Sequence, residues 1–353
     1  MLYAENAMTT GNHDRFPLIV FFMACVAVVP STAAGAQENC TTGKPAASAP
    51  TPCPDCRADR NFWCSECAAR SGCKTCGGIG WVCTGDSTVA QRDVLQKQQD
   101  ELSRINTAVG TRLRSVETLR FRLLTDIAHR QSHTYAQLFE RYAEKFNDTF
   151  GKQPDEKIWR DTCDVFLFGS RESFEKFATL VDARPQVAAS GGYSCPSGER
   201  PRVVLFKDSH DDNDASRAII HELAHVYLAL FHTGRTIPEW VHEGVAQDFE
   251  FSHKASGSRR KDSLKILRNA LENDTLMTLP ELSQMKFTPD KLLPYAASWS
   301  AVSFLMAKDK QAFVEMVKQM KEGKDQDAAF AAAFGVTLDS ANGPWLLYVA
   351  RMK

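Results

Sequence analysis

Two histidines four residues apart, His221 and His225, bracket a glutamate, Glu222, in the stretch "HELAH". On an α-helix residues four apart share a face, so both imidazoles can aim a nitrogen at one cation. Glu222 stands one residue round from the first histidine, where its carboxylate can reach a water beside that cation without ligating it. Glu243, in "WVHEGVA", follows eighteen residues beyond His225 and offers a third donor. Three protein ligands leave one tetrahedral position open, which is the arrangement of a catalytic zinc rather than a structural one.

Those side chains meet only if two helices lie side by side. The turn-prone "DDNDAS" supplies N-cap candidates before the first helix, and Gly234 can end it after "VYLALFH". A second helix starts at Pro238, with Glu239 suited to its N-terminal dipole. Two antiparallel helices joined by this short turn bring Glu243 beside the histidine pair. Gln247, four residues past Glu243, shares its face and is a candidate to orient a ligand, with Asp248 as the alternative. His242 points about a hundred degrees away from Glu243, which suits a core or surface role better than ligation. His129, His133, His210, His232 and His253 read as structural or solvated.

H-E-x-x-H followed at this distance by W-x-x-E-G-x-A resembles the gluzincin zinc metallopeptidases, the group that includes thermolysin and aminopeptidase N. The resemblance implies zinc on His221, His225 and Glu243 with Glu222 as general base, and peptide-bond hydrolysis through a zinc-bound water that Glu222 activates. It is close over about 30 residues and looser from Arg141 to Lys308, where helix, strand, helix, strand, motif helix and ligand helix follow in the family's order. Members of the group often stabilise the oxyanion with a tyrosine or histidine, and Tyr295 in "LPYAASWSAVSFL", 52 residues beyond Glu243, takes that place here. The glycine-rich, acidic element with which aminopeptidases of the group hold a free amine is missing upstream, so the resemblance favours an endopeptidase. The strand "VVLFK" is the expected edge along which an extended peptide would lie.

A second constellation stands near the N-terminus. "CPDCRADRNFWCSECAARSGCKTCGGIGWVC" holds three C-x-x-C pairs: Cys53 with Cys56, Cys64 with Cys67, and Cys73 with Cys76. The outer two are spaced C-x2-C-x16-C-x2-C, which suits a four-thiolate zinc site. "CKTCGGIG" resembles the repeat of the J-domain co-chaperone zinc finger. That family has four such repeats, whereas only the third pair here carries the glycines. Disulfides are the competing use of these cysteines; at least one structural zinc is the favoured reading.

The remaining chain frames these sites. The apolar run Phe16–Pro30, followed by the small residues Ala34-Gly35-Ala36, has the layout of a signal peptide over 1–36. Export to the periplasm or the exterior is therefore expected, with an uncleaved membrane anchor as the alternative. A linker over 37–52, a Cys-rich module over 53–87 and a long amphipathic, coiled-coil-like helix over 88–130 follow, the last read from apolar residues at Leu95, Leu102, Ile105, Val109, Leu113, Val116, Leu119, Leu123 and Ile127. The peptidase domain is assigned to 131–353.

Within that domain "CDVFLFGS" and "PRVVLFKDS" read as two strands of a small sheet, and Cys163 and Cys195, which flank them, are expected to form a disulfide. Strands first and helices afterwards make the fold α+β: a zincin-like core with its small sheet packed to one side and a mainly helical C-terminal half. With 42 basic against 43 acidic residues and no single-sign block, nucleic acid is not an expected partner. Peptides or proteins are the expected substrates, and the Cys-rich module or long helix is a surface for a protein partner. The alternative function is a non-catalytic scaffold that uses module and helix on a zincin-like fold.

Overall fold

The computed structural model describes residues 51–52, 81–82, 89–159, 161–187, 190–197, 200–207, 212–288 and 290–352. The leader over 1–36 lies outside these residues. So do all six cysteines assigned to the structural zinc: Cys53, Cys56, Cys64, Cys67, Cys73 and Cys76. The cation cluster found among the described residues accordingly includes none of Cys53, Cys56, Cys64, Cys67, Cys73 or Cys76. Of the segment around them, only Thr51–Pro52 (β1) and Trp81–Val82 (β2) are described; the two pair antiparallel.

The helix α1 (Val89–Val109) is shorter than the 88–130 expected from its apolar spacing. It stops at Gly110, which adopts φ +76°, a left-handed conformation that glycine enters without a Cβ penalty. Asn106 then accepts a hydrogen bond from the Leu113 amide, and the chain turns into the hairpin β3 (Arg114–Glu117) and β4 (Phe121–Thr125). Leu113, Val116 and Leu123 are buried as the spacing required, but in extended chain; Leu119, at the hairpin turn, is half exposed.

α2 (His129–Thr149) leads to β5 (Cys163–Phe168), and α3 (Arg171–Lys176) with one π turn (Phe177–Val181) precedes β6 (Gly192–Cys195) and β7 (Arg202–Phe206). The sheet has five strands, ordered β3-β4-β5-β7-β6. β4, β5 and β7 run parallel, and β3 and β6 are antiparallel edges. "VVLFK" is therefore not an edge: β7 is paired on both sides, and the edge nearest it is β6, in a stretch whose glycines and serines suggest only a turn.

Alternation along the strands sends side chains to two faces. Leu123, Val165, Leu167, Val203 and Leu205 join the larger core with α2 and the C-terminal helices, while Leu124, Phe166, Phe168, Val204 and Phe206 pack with α1, α3 and the π turn. The sheet is thus covered on both faces, not packed to one side as expected. Its strand order also excludes the Cys163–Cys195 disulfide, and both cysteines are free and buried. They sit on strands separated by β7, about 10 Å apart at ordinary strand spacing, and Cys163 faces the larger core whereas Cys195 faces the smaller. Bridging needs Cα atoms within about 7 Å.

The C-terminal half is helical throughout: α4 (Asp212–Leu230), α5 (Glu239–Phe251), α6 (Gly257–Glu272), α7 (Leu279–Gln284), α8 (Leu292–Lys308), α9 (Lys310–Lys321), α10 (Gln326–Phe334) and α11 (Leu338–Arg351). Side-chain caps set several of the starts: Thr278 and Glu281 form a capping box at α7, and Asp309, Asp325 and Thr337 cap α9, α10 and α11. The turn between α4 and α5 uses His232 at φ +64°, not Gly234, as its left-handed residue. Buried Lys321 of α9 closes it, donating to the main-chain oxygens of Ala229, Thr233 and Arg235 at 2.8, 3.0 and 2.7 Å. No helix among the described residues is long and apolar enough to cross a membrane.

Candidate metal centre

Residues 218–228 of α4 are buried without interruption, so the "HELAH" turn lies inside the protein with apolar neighbours on the rest of its circumference. α5 runs back along it: His225 meets residues 242 and 243, and His221 meets 243 and 250. Trp240, Val241, Val245 and Ala246 bury the apolar faces of α5 in the same core. The polar faces of both helices therefore close on each other.

Where they meet, His221 Nε2 and His225 Nε2 lie 3.1 Å apart, and the Glu243 carboxylate oxygens lie 3.6 Å from each. One donor atom from each of His221, His225 and Glu243 falls within 4.8 Å of the others, and all three residues are buried. A tetrahedral ion with ligands at about 2.0–2.1 Å separates them by about 3.3 Å. The observed spacings bracket that value, and the donors are the nitrogen and oxygen types zinc takes, so the residues present fit the ion.

Charge around the point agrees. Burial opposes a proton on His221, yet the hydrogen bonds and charges of Glu243 and Glu250 outweigh it and raise the imidazole to about 10. The cluster attracts positive charge. Burial pushes the Glu222 carboxyl up to about 7, against the lowering influence of His221 and Ser194 and with the help of Glu243 and Glu250. Both Glu222 oxygens are buried without a hydrogen-bond partner. An ionisable group so placed costs free energy unless something else occupies the site with it.

Each histidine has a further neighbour behind it. His221 Nδ1 is 3.2 Å from Glu250 Oε2, and Glu250 Oε1 is 3.1 Å from Arg259 Nη1. Burial works against the Glu250 charge, but Arg259, His221 and Arg217 hold it below the usual carboxylate range. His225 Nδ1 is 2.7 Å from His242 Nδ1. Burial, the Lys321 ammonium and His221 press His242 down to about 3, so it is neutral. The expected orienting residues are not the ones found: the Gln247 Oε1 atom is buried without a partner, and Asp248 is turned toward Lys145, Trp299 and Arg260. Glu250 stands seven residues from Glu243, two turns along the same face, and that register was the available signal.

Tyr295 lies in the first turn of α8, which packs against α5, with its ring edge-on to Phe287 at 5.1 Å. Burial and then the charges of Glu243, Glu239 and Asp290 raise its phenol, so it stays protonated and can donate. Ser194 of the edge strand β6 faces Glu222, which brings that strand to the site.

Residues 208–351 match the model of the Peptidase MA superfamily, a group typically zinc-dependent, and that match fits a zincin-like metallopeptidase domain. A comparison with curated proteins gives no significant match.

Proposed function

We propose that the chain is a zinc-dependent endopeptidase of the gluzincin type. One observation carries the reading: three donors of zinc-binding type converge at tetrahedral spacing, with the buried, unpartnered Glu222 carboxylate on the same helix turn. Zinc held by His221, His225 and Glu243 would supply Lewis acidity toward a water and a peptide carbonyl. The remaining steps belong to the chain. Glu222 accepts the proton of the attacking water at a carboxylate oxygen and later delivers it to the leaving amine. Its raised affinity for a proton suits it to both transfers. Tyr295, protonated and beside Glu243, is the proposed donor to the oxyanion.

An extended substrate is proposed to add a strand along β6, whose Ser194 is next to Glu222, in place of the interior strand β7. Binding through backbone hydrogen bonds selects unfolded or loop segments, in keeping with an endopeptidase. The leader-like 1–36 supports export of the mature chain. The spacing of Cys53 and Cys56 from Cys73 and Cys76 supports a structural zinc, with Cys64 and Cys67 as a further half-site. Cleavage of casein or a peptide library tests the activity: wild type cleaves internal bonds and loses activity to a chelator, and Glu222→Ala does not cleave. Equal cleavage by both would reject the peptidase reading.

A further inference from the structure

We infer that the rim of the centre on the His221 side recognises acidic peptides, taking an aspartate or glutamate side chain within two residues of the bond that is cut. This rests on the reading of the chain as an endopeptidase and names the substrate class of that same site.

The observation is a cluster of cations from four separate segments. Arg217, His221 and His225 recur at steps of four, so Arg217 continues the stripe of α4 that carries the two histidines, about 6 Å along the helix from His221. Arg259 of α6 stands behind Glu250: its Nη1 is 3.1 Å from Glu250 Oε1, and Glu250 Oε2 is 3.2 Å from His221 Nδ1. Lys254, in the single turn Lys254–Ser256 that follows α5, and Arg141 of α2 are exposed at the same rim. His253 joins these segments. Its amide donates to the Glu250 main-chain oxygen at 3.0 Å, and its ring lies 6.4 Å from that of Tyr142. Burial and then the charges of Arg141, Arg217 and Lys254 hold the His253 imidazole below its ordinary range, which places those three cations around one side chain.

Two carboxylates offset two of the four cations. Arg217 pairs with Asp214, and Arg259 pairs with Glu250. Arg141 and Lys254 make no ion pair among the described residues, so the excess positive charge stands at the solvent-facing edge. The neighbouring Lys145 and Arg260 act on Asp248 and lie over the rings of Phe249 and Trp299, apart from this excess. An extended peptide advances about 3.3 Å per residue, so a group about 6 Å from His221 is within reach of a side chain one or two residues from the bond being cut. A carboxylate there is attracted to the rim and a lysine is repelled. Charge arranged in this way gives discrimination and rate of encounter more than affinity.

The test is cleavage of a randomised peptide library by the full zinc-loaded chain, with the cut sites read by mass spectrometry. Aspartate and glutamate are expected to be enriched within two residues of the cut, on one side of it. Three peptides built on the best-cut sequence, with Glu, Gln or Lys at the enriched position, then give kcat/KM. The Glu peptide is expected about tenfold above the Gln peptide, with the Lys peptide below both. Salt at about 0.5 M should reduce the Glu-to-Gln ratio to about threefold or less.

Arg141→Gln combined with Lys254→Gln should bring the ratio to about twofold and flatten its salt dependence. A general loss of activity or stability divides out of this ratio. A wild-type ratio of one, or a ratio that neither salt nor the double variant changes, would overturn the inference. Failure to cleave any peptide would instead reject the peptidase reading on which it stands.

Discussion

Gly244 of α5 lies so close to Ser298 of α8 that a β-carbon on it would stand 2.5 Å from the Ser298 main-chain oxygen, and as close to Val302 Cγ2. The residue after Glu243, the proposed third ligand, thus sets how near α5 approaches the helix carrying Tyr295.

Gly244→Ala is therefore expected to push the two helices apart. Overpacking of a buried contact costs about 1–3 kcal/mol, and because Glu243 is adjacent, zinc affinity should fall along with stability. Urea denaturation and metal competition on the variant check this; wild-type stability would show that the helices yield at no cost.

Cys163 and Cys195 are expected to be free thiols, shielded until the chain unfolds. Burial raises both thiols above their ordinary range, Cys163 the more strongly, so the reactive thiolate is scarce in the native state. Alkylation should be slow in buffer and complete in denaturant without reductant. Recovery of a 163–195 linked peptide would contradict the strand order.

Asp248 provides a pH dependence with a definite sign. Burial pushes its carboxyl from 3.8 up to about 6, against the pull of Lys145, Trp299 and Arg260. The folded chain then holds this proton more tightly than the unfolded one, a preference that stabilises the fold below about pH 4 and is lost as pH rises through 6. A rise of this size corresponds to about 3 kcal/mol, and the residue's partial solvent contact reduces that to about 1–2 kcal/mol. Asp248→Asn should accordingly be more stable than wild type at pH 8 by about 1–2 kcal/mol, with the gap closing toward pH 4. Urea denaturation at the two pH values decides; a variant less stable at pH 8 would contradict the sign.

Much of the centre was legible because helix geometry converts spacing into position: His221, Glu222 and His225 on one turn, and Glu243 on the next helix. What sits behind the ligands was not, because it depends on how α5 lies against α4. His242 points away from Glu243 on its own helix, and the pairing with His225 emerges only when the two helices are placed together. The hairpin β3–β4 is hidden because steps of three and four among Leu113, Val116 and Leu119 fit a helix as well as they fit buried strand positions, and Gly110 alone marks the break. β6 is hidden because "GGYSC" has the composition of a turn, yet all four residues of the strand are buried at the sheet edge.

His221, His225 and Glu243 are proposed to hold one zinc, with Glu222 working beside it. Metal analysis combined with peptide cleavage on wild type, Glu222→Gln and Glu243→Ala tests it, and the comparison between variants separates this ion from any held by the cysteine pairs. Glu222→Gln should keep the wild-type zinc content while losing about 10²–10⁴ of the cleavage rate, and Glu243→Ala should carry one zinc fewer and be inactive. A Glu243→Ala protein with undiminished zinc, or a Glu222→Gln protein that cleaves like wild type, would contradict the account.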